Sequence, residues 1–217
     1  TSDLPAGVHP IPAWCADPQF FPGASGLLDA DTWAEVVPGS TGVLTHLPAA
    51  HQGGVMVLGN YQATLASYRR ILDGTIGGFA TTWRELRNLL ADLSPREVFL
   101  TNAFIGLPDL ARDTAPFPTT PSFTARCQQL LELEIELLRP RTVVCLGVRA
   151  ASMLATISSG LDTWRSWPGY ATLKAAGNER VHECTTGSVP FTAVAVQHPS
   201  AVQLTTERQR ARALIAA

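Results

Sequence analysis

The stretch "VAVQHPSAV" (194–202) sets a titratable imidazole, His198, just past an apolar run, then a ring-locked Pro199 and a hydroxyl, Ser200. An imidazole can donate, accept or carry a proton near neutral pH, and a proline fixes the backbone that aims it. Three further segments place polar side chains in a similar setting: "GNYQAT" from Gly59, "TNAFIGLPD" from Thr101 and "LGVRAAS" from Leu146. Taken singly, each has an ordinary reading. "LGVRAAS" lacks both the complete dinucleotide-binding glycine pattern and the Walker pattern, and reads as a tight strand-to-helix turn. Asn102 can cap the loop that follows it, and His198 can be a plain strand-end histidine. Their shared position is what makes them candidates together.

That position follows from the elements that precede each segment. "GVMVLG" (54–59), "EVFLTN" (97–102), "RTVVCLG" (141–147) and "FTAVAVQ" (191–197) are apolar runs of strand length, three of them rich in valine. Helical periodicity lies between them. "TTWRELRNLLADL" (81–93) puts Trp83, Leu86, Leu90 and Leu93 on one face, and "SFTARCQQLLELEIELL" (122–138) does so with Phe123, Cys127, Leu131, Ile135 and Leu138 before Pro140 ends it. "RAASMLATI" follows the third strand directly, and "TTERQRARALIAA" is the last segment. Near-continuous apolar strands alternating with helices predict a three-layer α/β/α sandwich around a mostly parallel four-stranded sheet. Ligands of such sheets bind beyond the carboxyl ends of the strands, where all four polar segments emerge.

Composition bounds the rest. At 217 residues, 46% hydrophobic and 16% charged, the chain is read as one globular domain over 1–217, with the Pro/Gly-rich residues 1–50 wrapping the core as irregular structure. No uninterrupted apolar stretch of about 18 residues occurs and "TSDLPAGVHPIPAWC" has no signal-peptide pattern, so a cytoplasmic, monomeric protein without membrane contact is expected. A formal charge of −2 gives no global pull toward nucleic acid; any such contact is local. Cys15, Cys127, Cys145 and Cys184 show no C-x-x-C pair or zinc spacing and read as reduced core thiols, with no metal and no cofactor.

The glycine-ended first strand, "TN" after the second, "LRPRTVVCLG" and a last strand running into "HPSA" resemble the uracil-DNA glycosylase superfamily from about Gly54 onward. The Cys127 helix leading into "LLRPR" is similar to the iron-sulfur-bearing branch, but Cys127 alone falls on a ligand position, so no cluster is expected. The resemblance implies a protein that binds a flipped uracil-like or otherwise deaminated base in DNA and hydrolyses its N-glycosidic bond. By that resemblance Phe79 stacks on the base, Asn102 reads its edge, and Gly59, Tyr61 and Gln62 line the pocket. His198 donates to the departing base, while Ser200, Pro199 and Arg208 hold the DNA backbone, with Arg210 and Arg212 adding local positive charge.

The first motif departs from the family pattern. Gly59-Asn60-Tyr61-Gln62 contains neither Pro nor carboxylate, and Tyr61 stands where the strongest branches keep an Asp that positions water. A phenol of pKa near 10 is a poor base at neutral pH, which leaves Asn60 to orient the water by hydrogen bonding. Weak or altered activity is the expectation. The alternatives are a non-catalytic nucleobase-, nucleotide- or DNA-binding protein that keeps the pocket, and an unrelated α/β enzyme acting on a small nucleotide.

Overall fold

The computed structural model describes residues 4–9, 53–61, 64–72, 85–86, 88–94, 97–110, 116–166, 169–199 and 205–216. Its strands are β1 (Val8–His9), β2 (Val55–Tyr61), β3 (Val98–Phe104), β4 (Leu107–Pro108), β5 (Thr142–Leu146), β6 (Arg180–Thr186) and β7 (Val189–Val196). Its helices are α1 (Leu65–Leu72), α2 (Pro121–Leu138), α3 (Val148–Ile157), α4 (Asp162–Arg165), α5 (Tyr170–Ala175) and α6 (Thr205–Ala216). Further helical residues occur within 85–89.

The main sheet runs β3-β2-β5-β7-β6. The first four strands of that order are mutually parallel, as expected, while β6 joins antiparallel to β7 and makes the sheet five-stranded rather than four-stranded. Sequence reading misses β6 because "RVHECTT" is an edge strand with a polar outer face and a bulge between Val181 and Cys184. β2 and β3 also run two residues further than their apolar cores suggest, through Tyr61 and Phe104.

Alternation along each parallel strand divides the core into two layers. Met56, Leu58, Phe99, Val143, Cys145, Ala193 and Ala195 face one cluster with α2 and α3; Val55, Val57, Leu100, Val144, Leu146, Val194 and Val196 face another with Leu86, Leu90, Ala211 and Ile215. Helices therefore cover both faces, the three-layer arrangement that valine-rich runs demand. α2 starts at Thr120, whose hydroxyl accepts the Phe123 amide at 3.3 Å, with Pro121 in the first turn. It buries Phe123, Cys127, Leu131, Ile135 and Leu138 as the periodicity predicts. No described helix is long and apolar enough to cross a membrane. Of the wrap expected over 1–50, only 4–9 is described; the rest of that expectation lies outside the described residues.

Candidate functional site

Strand register brings the predicted residues to one edge. Gly59 lies opposite Asn102, Leu58 opposite Cys145, and Leu146 opposite Val196, so the ends of β5 and β7 lie close to the level of Gly59 and Asn102, two residues before the ends of β2 and β3. Asn60 follows Gly59 by one residue and His198 follows Val196 by two. Parallel pairing alone thus sets Asn60, Asn102 and His198 at the carboxyl edge.

Asn102 is only 7% exposed, and its side-chain oxygen is buried without a hydrogen-bond partner; the Asn60 side-chain oxygen is in the same condition. A buried unpaired acceptor costs about 1 to 3 kcal/mol, so two of them at one sheet edge require a reason. Behind Asn102, the Thr101 hydroxyl donates to the buried Glu134 carboxylate of α2 at 3.1 Å. That bond fastens β3 to α2 one residue from the orphaned oxygen.

His198 packs against the turn between β5 and α3. Gly147 sits at φ 87°, donates its amide to the Val196 carbonyl at 2.8 Å, and would place a Cβ 3.5 Å from the His198 Cβ. A side chain there would strain the backbone, so Gly is needed for this junction. Burial holds the His198 imidazole below its usual pKa. That shift favours the neutral ring at physiological pH.

Tyr61 does not stand alone at the end of β2. Its ring lies 5.5 Å from that of Phe117, which stacks on Phe104 at 4.9 Å and on Phe123 at 5.8 Å. Arg208 pairs with Glu85 at 2.6 Å, and together with Leu89, Gln197 and Pro199 these two line a small cleft under the His198 loop. Arg210 pairs with Glu179, and Arg212 with Asp92. A DNA phosphate would have to compete with a carboxylate for each of these guanidinium groups. Gln62, Phe79 and Ser200 lie outside the described residues.

Cys127, Cys145 and Cys184 are buried in the first core layer, and burial pushes each thiol up from its ordinary value. Among the described residues no group of three or more His, Cys, Asp or Glu gathers to hold a metal ion; Cys15 lies outside them. Sequence reasoning missed Glu85 and Phe117 as supports. Gly147 lies in "LGVRAAS", read as a tight strand-to-helix turn, which the structure shows; its contact with His198 was not foreseen.

The structure thus defines a mostly parallel α/β protein with the carboxamides of Asn60 and Asn102 and the imidazole of His198 at the carboxyl edge of its sheet. Comparison with protein families matches the uracil DNA glycosylase superfamily over residues 43–217, and the chain belongs to that superfamily. No curated protein matches the chain. Membership points to a glycosylase-like function on DNA.

Proposed function

We propose that the protein binds a deaminated base flipped from DNA and hydrolyses its N-glycosidic bond slowly. The single observation that carries this reading is the buried, partnerless side-chain oxygen of Asn102 near the carboxyl end of β3. A fixed acceptor of this kind asks for an N–H. Deamination of cytosine or adenine converts a ring nitrogen from acceptor to N–H, beside a new carbonyl that the Asn102 amide group can serve as donor. One carboxamide therefore favours uracil or hypoxanthine over its parent base.

Hydrolysis breaks the bond between C1′ and the base nitrogen, the electron pair leaves with the base, and water adds to the oxocarbenium-like sugar. The neutral His198 ring donates to the leaving base as its charge grows, an interaction worth ~2.7 to 4 kcal/mol for one preorganised donor. Asn60 orients the water through its unpaired oxygen. With no carboxylate in the first motif, the proton of that water passes to solvent, and the rate is low. Ser200 and the amides behind Pro199 hold a phosphate, and Phe79 stacks on the base. Arg208 joins the backbone contact only by sharing its guanidinium with Glu85. The same missing carboxylate, together with a Tyr61 ring packed on Phe117, favours the second reading, a pocket that binds a base without turnover.

Oligonucleotides carrying uracil, hypoxanthine, xanthine or a mismatch, followed by cleavage of abasic sites, test the proposal. Base release from at least one deaminated substrate is expected, and His198→Ala should slow it ~100-fold or more while Ser200→Ala weakens DNA binding instead. Binding without release, with His198→Ala costing only ~0.5 to 1.5 kcal/mol of affinity, would establish the non-catalytic reading.

A further inference from the structure

The segment 4–9 lies outside the matched span 43–217, yet it is built into the fold. β1 pairs antiparallel with β4, Val8 opposite Pro108 and His9 opposite Leu107, and the Asp109 amide donates to the Gly7 carbonyl at 2.7 Å. β4 follows β3 after a short bend. The N-terminal strand therefore grips the loop that leaves the strand carrying Asn102.

The grip has a specific fit. A Cβ on Gly106 would lie 2.6 Å from Val8 Cγ1 and 3.5 Å from Phe117 Cζ, so the bare backbone of Gly106 is what lets Val8 seat beside Phe117. Val8 and Phe117 are both buried. Phe117 in turn touches the rings of Phe104, Phe123 and Tyr61. A continuous packed path leads from the N-terminal strand to the end of β2.

We propose that β1 is a latch: Val8, seated on Gly106, holds Phe117, and Phe117 holds the Tyr61 ring as a wall of the base pocket. Val8 and Phe117 are positioning residues, and the proposal rests on the base-binding reading above. A valine is stiff at χ1 and packed rings have few alternative placements, so the wall is preset before the base arrives. Loosening it weakens ground-state and transition-state binding alike, which raises KM and leaves kcat.

The test uses the full chain as parent, Gly106→Ala, Phe117→Leu, and Gly106→Ala combined with Val8→Ala. Amide hydrogen exchange over 103–108 is measured with KM and kcat for base release from a uracil-containing oligonucleotide, or the Kd of free uracil if there is no turnover. Gly106→Ala should speed exchange and raise KM or Kd by about 3- to 10-fold with kcat changed less than about twofold. Phe117→Leu should raise KM similarly. The double variant should recover toward the parent, because the added methyl occupies space that Val8→Ala vacates. Parent-like KM and exchange in Gly106→Ala, or a double variant no better than Gly106→Ala, would overturn the latch while leaving the base-binding reading intact. If the parent neither binds nor releases any base, the functional reading fails separately. The exchange pattern and its rescue then decide the latch, rescue supporting it and no rescue overturning it.

Discussion

Asn102 pays for its position with an unmade hydrogen bond, and that cost can be measured. Leu is close to Asn in shape and has no oxygen to leave unpaired, so Asn102→Leu should stabilise the empty protein by up to ~1 to 3 kcal/mol while abolishing discrimination among bases. Thermal denaturation together with binding of uracil-bearing and undamaged oligonucleotides reads both effects. A destabilised Asn102→Leu would mean that the amide serves the fold, and the base-reading role would fall. Asn102 and His198 are legible in the sequence because a polar residue closing an apolar run lies within about two residues of a strand end, and parallel strands send all such ends to one edge. Phe117 is not legible. It sits in an irregular stretch before α2, and only packing reveals that it touches Tyr61, Phe104 and Phe123.

At the scale of elements, α6 lines one cleft with Gln197 and Pro199 of the His198 loop and is tied down on two sides. Arg208 and Arg212, one turn apart, reach Glu85 and Asp92, while Arg210 reaches Glu179 at the start of β6. Burial alone would raise the Glu179 carboxyl, but hydrogen bonds from Arg210 and from Tyr170 at 2.6 Å outweigh it and hold the group below the usual carboxylate range. The pairs differ in worth because they differ in exposure. Glu85 is 10% exposed and Arg208 29%, so Arg208→Ala leaves a nearly buried carboxylate unpaired and should cost ~1 to 3 kcal/mol, between surface and fully buried pairs. Arg212→Ala, at an exposed pair, should change the urea midpoint little. Equal shifts from the two variants would show that the Glu85 pair does not anchor α6. The Arg208 and Arg212 pairings join residues more than a hundred positions apart, so no local pattern announces them. The Val-rich strands are different, since burial on both faces forces a composition that can be read directly. β6, with one face in solvent and a bulge, escapes that rule.

For the molecule as a whole, charge decides how it would meet DNA. The formal net charge is −2, and all three arginines of α6 already face a carboxylate. Binding that draws on few free cations releases few counterions. If about two phosphates are neutralised, log K against log salt has a slope near −2, and raising salt from about 50 to about 200 mM costs roughly tenfold in affinity; six phosphates would cost roughly a thousandfold. The shallow slope is the expected result for a uracil-bearing duplex followed by fluorescence anisotropy. It should steepen when Glu85→Gln frees Arg208 to meet a phosphate, by about one unit per added contact. A slope steeper than about −5 in the parent would instead mean that many more cations meet phosphates, and recognition would then rest on the backbone rather than on the pocket.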